Sequence, residues 1–268
     1  MATPNLQSVE KALTLFSVVI ADEGKNPLNT LAERAGVPFS TAHRLAATLE
    51  RRGIIQRERP GRYVIGPVML ALARHLDEGR LIARLSRPAL LKLARRLRQT
   101  VHLGVLEHGM VTYLTKESYG RATPFAEEGS QLEAYCSAIG KVLLAYMDDD
   151  QRERYLADGP FVPLTQNTIV ERVQLHDHLK AVRVQGWAMD DGEMFDSLKC
   201  IAVPLRRWDG TVVAAVSVSC QSGLPEKTYV HALSVLMECV ASIEAKWFVC
   251  IRRFGVAPST PGLRHRSV

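Results

Sequence analysis

The segment from Leu28 to Val64 has the pattern that most constrains the fold. Between Pro38 and Arg52, apolar residues recur at positions i, i+3, i+4 and i+7, which is the spacing of a helix with one buried face. A shorter helical stretch, Thr30 to Ala35, precedes it. Gly36 can adopt the positive φ that ends a helix within one residue, and Pro38 suits the first turn of the next helix. The segment therefore predicts a helix, a tight turn and a second helix.

A short hairpin is predicted directly after the second helix. Gly53 ends that helix, and Ile54–Arg57 and Arg62–Ile65 then alternate as two strands around Pro60-Gly61. A hairpin in this position is the wing of a winged helix-turn-helix. Its arginines would supply positive charge to phosphate groups, and they are Arg57, Arg59 and Arg62.

The outward side of the second helix is small, hydroxylic and basic. At about 100° per residue, the residues that point away from the apolar face or flank it are Ser40, Thr41, His43, Arg44, Ala47, Thr48 and Arg51. Short side chains allow close approach to the major groove, and Arg pairs with guanine edges or phosphates. An amphipathic helix alone is more often a solvated surface helix. The order helix, turn, helix and basic hairpin favours DNA binding.

Charge and cysteine content agree with this interpretation. Lys and Arg exceed Asp and Glu by four in residues 1–76 and again by four in residues 251–268, whereas acidic residues are in excess by two in residues 77–250. This distribution is expected when only part of the chain meets phosphate. Five cysteines without a short paired spacing indicate free thiols in a reducing cytoplasm. We find neither a secretory signal nor a stretch with the length of a membrane span.

The length of the chain leaves room for a second domain. We predict a DNA-binding domain in residues 1–65, a linker helix in residues 66–80, a second domain in residues 81–248 and a basic, disordered tail in residues 249–268. The linker is apolar around so much of its circumference that it needs a partner. We therefore expect it to lie in a dimer interface.

The mixture of strands and helices in residues 81–248 predicts an α+β domain built on one antiparallel sheet. Thr100–Leu106 and Met110–Lys116 form the clearest hairpin, and Val212–Ser219 is predicted to be a central strand paired with Cys200–Leu205. The other predicted elements are strands at Arg121–Phe125 and Trp187–Met189 and helices at Leu81–Leu97, Ala134–Tyr146, Thr168–Gln185 and Pro225–Phe248, with a further helix beginning at Gln151–Leu156.

Several separate stretches resemble the IclR family of bacterial transcription regulators over roughly Leu6 to Trp247. They are STAHRLAATLERRGIIQRE with GRYVIGPVML, then AYCSAIGKVLLA, then DDGEMFDSLKCIAVPLRRWDGTVVAAVSVS. The resemblance implies a winged helix-turn-helix joined by a linker helix to a GAF-like effector-binding domain with a curved antiparallel sheet. It implies homodimers or dimers of dimers on pseudo-palindromic operators. It also implies a regulator, most simply a repressor, that has no cofactor and whose operator binding is switched by a small carboxylate, semialdehyde or aromatic acid.

The resemblance also assigns roles to individual residues. Ser40, Thr41, His43, Arg44 and Thr48 match recognition-helix positions, and Arg62 matches the wing. The effector pocket would be lined by Ala138, Ile139, Asp190, Cys200, Ser217 and Ser219. Two departures from the family pattern bear on this pocket: Tyr135 stands where His is common, and Gly192 and Ser197 interrupt the usual acidic pair and glycine.

The chemistry of these residues leaves alternatives open. Ser217 and Ser219 share one face of a strand, which is either a pocket wall or a solvated surface. Asp190 would accept from a ligand hydroxyl, a hydrated aldehyde or backbone amides. An enzyme is disfavoured, because the nucleophile elbow and the glycine-rich nucleotide fingerprints are absent from the sequence. A transcriptional activator, or a redox sensor using Cys136 or Cys200, is the alternative regulator.

Overall fold

The computed structural model describes residues 5–120 and 126–253, with side chains up to Trp247. The described residues divide into two units, of which the first comprises residues 5–77 together with residues 247–253 and the second spans Glu78–Lys246. The predicted strand at Arg121–Phe125 and most of the predicted tail lie outside the described residues.

The first unit is a winged helix-turn-helix, as predicted. Its core consists of the apolar residues that the helical spacing assigned to one face, among them Ala42 and Ala46, packed around Leu15, Leu31 and Tyr63. The elements are α1 (Gln7–Asp22), α2 (Leu28–Arg34), α3 (Phe39–Arg51), the antiparallel strands β1 (Ile55–Arg59) and β2 (Arg62–Ile65), and α4 (Pro67–Ala73).

The second unit is built on one six-stranded antiparallel sheet with the order β5-β4-β3-β8-β7-β6. Its strands are β3 (Thr100–Glu107), β4 (Met110–Glu117), β5 (Gln131–Glu133), β6 (Ala188–Asp191), β7 (Leu198–Arg206) and β8 (Val212–Gln221). Its helices are α5 (Glu78–Leu97), α6 (Ala138–Tyr146), α7 (Asp149–Ala157), α8 (Arg172–Gln185) and α9 (Glu226–Arg253). Helix α6 packs across β3, β6, β7 and β8 and covers the sheet. The predicted α+β class is confirmed.

The predicted linker helix over residues 66–80 is wrong in extent. Helix α4 ends at Ala73, and the amides of His75 and Leu76 then donate to the carbonyls three residues earlier, at Leu72 and Ala73, both at 3.1 Å. A separate helix, α5, begins at Glu78, whose acidic side chain suits a first helical turn. The segment is therefore a short apolar helix followed by a turn.

Several elements of the second unit differ from the prediction. Helix α6, for example, begins at Ala138 instead of Ala134. Helix α8 begins at Arg172 instead of Thr168, because the Thr168 hydroxyl accepts hydrogen bonds from the backbone of Leu164 and Thr165 and holds a loop. Strand β5, which the sequence did not predict, pairs with β4 through Gln131–Glu133. Helix α9 continues to Arg253, past the predicted start of the tail at residue 249.

Candidate nucleic-acid interface and effector site

Helix α3 presents most of the residues that were predicted to meet DNA. The exposed side chains are Ser40, His43, Arg44, Thr48 and Arg51, and Thr41 is half-buried on the flank. The opposite side is fixed in the core by Ala42 and Ala46, which are 0% exposed. The Thr48 hydroxyl donates to the Arg44 carbonyl at 2.9 Å and is thus engaged within the helix.

The turn between α2 and α3 depends on one glycine. Gly36 has φ of +62°, which favours glycine, and Val37 N then donates to Ala32 O at 3.0 Å. Val37 itself is buried in the core. The turn therefore holds α3 at a fixed position against α2.

The wing arginines fall into two groups. Arg62 donates from Nη1 to the carbonyls of Gly24, at 3.2 Å, and Lys25, and is half-buried. Arg57 donates to the Tyr63 hydroxyl at 2.9 Å. Arg59 is exposed, and its side chain makes no hydrogen bond or ion pair with any residue that the structure describes. Arg59 is thus the wing charge most available to phosphate, whereas Arg62 also holds the loop after α1.

A buried carboxylate holds the other side of the same loop. Asp22 accepts from the Asn26 backbone at 2.7 Å and from Arg34 Nη1 at 2.9 Å. Burial by itself would raise the pKa of Asp22, but the hydrogen bonds from Asn26 and the charge of Arg34 outweigh it and lower the pKa. The ionised form therefore fixes the connection between α1 and α2.

In the second unit, the strand register brings three of the predicted effector residues into one row. Cys200 lies opposite Asp190 on β6 and opposite Ser219 on β8. Directly opposed side chains of an antiparallel pair project to the same face. The Cys200 thiol donates to Ser219 Oγ at 3.3 Å. The row is buried, with the three side chains exposed by 5% or less.

The other predicted effector residues lie next to this row. Ser217 is opposite Ala202, one step further along the same face. Ala138 and Ile139 begin α6 and belong to the same buried cluster as Cys200 and Ala202. The structure therefore rules out a solvated surface at Ser217 and Ser219, which are buried.

Asp190 shapes the loop that follows β6. Its Oδ1 accepts from the backbone amides of Glu193 at 2.7 Å and Met194 at 3.4 Å, which is one of the three roles that the sequence left open. Burial raises the pKa of Asp190 to about 7 against these hydrogen bonds and the charge of Lys141, which lower it. The carboxyl group is thus readily protonated near neutral pH.

Sequence reasoning missed Lys141 as part of this site. Lys141 is fully buried, and its ammonium group bonds to Glu193 Oε1 and to the Met189 carbonyl. Glu193 Oε2 is buried without a hydrogen-bond partner among the described residues, and burial raises the pKa of this carboxyl. The signal was a single charge inside the apolar helix AIGKVLLAY, since a buried Lys needs a partner.

Two family models match the chain. The IclR helix-turn-helix domain matches residues 8–59, and the C-terminal domain of bacterial IclR transcriptional regulators matches residues 75–245. The chain belongs to the IclR family. It is a DNA-binding transcriptional regulator.

Individual IclR-family proteins align over most of the chain. The transcriptional regulator XynR of Escherichia coli is 31% identical over 219 residues, which cover 81% of this chain and 86% of XynR. An IclR homolog from Microbacterium hydrocarbonoxydans, solved with 4-hydroxybenzoate, has a TM-score of 0.60 at 24% identity. The match covers 90% of this chain and 99% of the homolog's chain. The Agobacterium tumefaciens repressor BlcR has a TM-score of 0.66 at 23% identity, and the match covers 91% of this chain and 97% of the BlcR chain. The two structures share the fold.

Cys136 and Cys200 of this IclR-family protein have the chemistry of core residues. Burial raises the pKa of the Cys136 thiol to about 12, and it also raises the pKa of Cys200. Tyr113, which borders Cys200 and Asp190, likewise has a pKa raised by burial.

Within residues 5–120 and 126–253 we find no group of three or more side chains placed to hold a metal ion. None of the helices in these ranges combines the length and apolar character of a membrane span.

Proposed function

We propose that this regulator represses a catabolic operon and releases its operator when a small oxygenated metabolite binds beside α6. The observation that carries the proposal is the buried polar row of Asp190, Cys200 and Ser219 within an otherwise apolar core. Pockets for small molecules use a few polar groups in apolar walls. The ligand would be a carboxylate, a semialdehyde or an aromatic acid, in line with the 4-hydroxybenzoate held by one IclR homolog.

The polar groups on this face determine how such a ligand would be held. Lys141 is already paired with Glu193, so the oxygens of the ligand would be bound by neutral donors. These are the hydroxyls of Ser217 and Ser219 and the first backbone amides of α6, at Ala138 and Ile139. A helix N-terminus favours an anionic ligand. The protein would need no cofactor, and its function would be regulation without catalysis.

Helix α4 supports assembly into homodimers, or dimers of dimers, on a pseudo-palindromic operator. It has the sequence PVMLALA and contains no buried residue. Leu70 and Leu72 are 67% and 53% exposed. A second copy of this helix would cover the leucines, and a two-fold dimer matches an operator with two half-sites.

Fluorescence anisotropy with the protein's own promoter fragment tests the proposal. We expect binding in the absence of metabolite and release by at least one of 4-hydroxybenzoate, a 2-oxo carboxylate and a short semialdehyde. Ser217→Ala with Ser219→Ala should keep operator binding and lose release, whereas Ser234→Ala, an exposed serine on α9, should change neither. Release by the double variant at an unchanged metabolite concentration would place the pocket elsewhere.

Two other modes of regulation are separated by simple measurements. A promoter-reporter fusion in a deletion strain gives the sign, because loss of a repressor raises expression and loss of an activator lowers it. A redox sensor would release DNA on treatment with hydrogen peroxide. The raised pKa of Cys136 and Cys200 disfavours that mechanism, since the reactive species is the thiolate.

As a regulator of an operon, the protein would act in the bacterial cytoplasm.

A further inference from the structure

An aromatic ring stands in water at the start of the recognition helix. Phe39 is the first residue of α3 and its side chain is 55% exposed. It is the one large apolar side chain that α2 and α3 expose among the residues that the structure describes. The core of this unit takes Leu45 and Leu49 from the same helix and leaves Phe39 out. Packing inside the domain therefore does not account for this residue.

The surroundings of Phe39 are those of the predicted DNA surface. Its ring centroid lies 6.3 Å from that of His43, one helical turn further on, with the two planes tilted by 53°. Ser40 and Arg44, the neighbours of these two rings in the sequence, are both exposed. The first residues of a recognition helix are those that reach base edges in the major groove. Phe39 is thus an apolar group within a polar, DNA-facing surface.

The chemistry of the major groove limits what such a ring can contact. Base edges there display hydrogen-bond donors and acceptors, and the C5-methyl group of thymine is the apolar exception. The other exposed large apolar side chains of the first unit belong to α1 and the residue before it, to β2 and to the segment around α4, and include Leu6, Leu13, Ile65 and Leu70. Phe39 stands apart from these elements in the chain and is followed by Ser40 and Thr41. We propose that Phe39 contacts a thymine methyl group in each half-site and is a specificity-determining residue.

Removal of single methyl groups from DNA tests this proposal directly. Binding sites are first selected from a random duplex library with the full-length protein. Each thymine of the selected site is then replaced by deoxyuridine, which keeps the base pair and removes only the methyl group. For the wild-type protein we expect one thymine per half-site at which this change weakens binding about fourfold, the loss that corresponds to one buried methyl-sized group.

The protein variants identify the residue responsible. Phe39→Ala should bind the thymine and deoxyuridine duplexes equally, and Phe39→Leu should keep part of the difference. The salt dependence of binding should not change, since Phe39 carries no charge. Val184→Ala removes an exposed apolar side chain of the second unit, which is 90% exposed, and should retain the full fourfold effect. Wild-type binding that is insensitive to every deoxyuridine, or an unchanged sensitivity in Phe39→Ala, overturns the proposal.

Discussion

Lys141 and Glu193 form an ion pair inside the second unit, with side-chain exposures of 0% and 6%. The pair joins α6 to the loop after β6, and Lys141 also bonds to the carbonyl of Met189 within that strand. Asp190 lies between these two contacts in the sequence and is itself held by the amide of Glu193. The position of the polar row on β6, β7 and β8 therefore depends on a charge located on the helix that covers it.

Replacing Lys141 by Met should destabilise the protein strongly. The change leaves the carboxylates of Glu193 and Asp190 buried without a cation, and breaking a buried pair in this way costs about 3–5 kcal/mol. The free energy of unfolding from urea titrations measures the loss. Lys141→Met combined with Glu193→Gln should recover part of it, because the double variant removes both charges.

A lysine at the surface provides the control for this experiment. Lys180 on α8 pairs with Asp177 at 3.7 Å, and both side chains are more than 60% exposed. Lys180→Met should change the free energy of unfolding by about 0.5 kcal/mol or less. Equal losses in Lys141→Met and Lys180→Met would show that the buried pair has no special role.

Asp190 should make the stability of the protein depend on pH. Its pKa is raised to about 7 by burial, so the folded state keeps a proton that the unfolded state releases near pH 4. Folding therefore takes up a proton between these values, and stability falls as the pH rises through this window, by at most about 1.4 kcal/mol per pH unit. Asp190→Asn keeps the acceptor for the loop amides and removes the titration. Its stability relative to wild type should improve between pH 5 and pH 7.

The groups that face Asp190 determine how clearly this titration is seen. Lys141 lowers its pKa and Glu193 raises it, and Glu193 itself has a raised pKa because it is buried. The thiol of Cys136 stays neutral below pH 8, and the pKa of Cys200 is raised by burial. His178, next to Lys141, is also neutral, since burial and the lysine lower its pKa to about 4. A difference between wild type and Asp190→Asn that is constant from pH 5 to pH 7 would contradict the assignment.

Sequence patterns predicted those helices and strands that are determined by residues close together in the chain. The spacing of Ala42, Leu45 and Leu49 predicted α3, and the apolar run Val212–Val218 predicted the buried strand β8. The bond between Lys141 and Glu193 joins residues 52 positions apart, and no periodicity reports a partner at such a distance. The same limit applies to Arg62. Its side chain bonds to the loop after α1, 38 positions away, and this contact forms only when the wing packs against that loop.

Two arginines of the DNA-binding unit should give different effects on mutation. Arg44 is exposed on α3, and Arg44→Ala should weaken operator binding by about 1–3 kcal/mol without loss of stability. Arg62→Ala removes hydrogen bonds to two carbonyls and should lower the free energy of unfolding by about 1–3 kcal/mol. Anisotropy and urea unfolding measure the two effects. Arg95→Ala, an exposed residue of α5, serves as the control. Loss of stability in Arg44→Ala with none in Arg62→Ala would reverse the assignment.

The buried thiols should be inert in the folded protein. Cys200 donates to Ser219 and has a pKa raised by burial, so the reactive thiolate is scarce at neutral pH. Cys200→Ser should bind operator as wild type does, and hydrogen peroxide should release neither protein. The same anisotropy assay, with and without peroxide, measures this. Release of the wild type but not of Cys200→Ser would support the redox mechanism instead.

The exposed leucines of α4 should determine the oligomeric state. Leu70→Glu with Leu72→Glu places two charges on a helix that has no buried residue of its own, so the folded unit should keep its stability. In a dimer the same charges would be buried and unpaired, and we expect monomers in light scattering after gel filtration. A monomer contacts one half-site, so operator affinity should fall by about two orders of magnitude or more. Val173→Glu on α8, at a position 71% exposed, is the matched control and should leave the assembly intact. A dimer that survives the double substitution would place the interface outside α4.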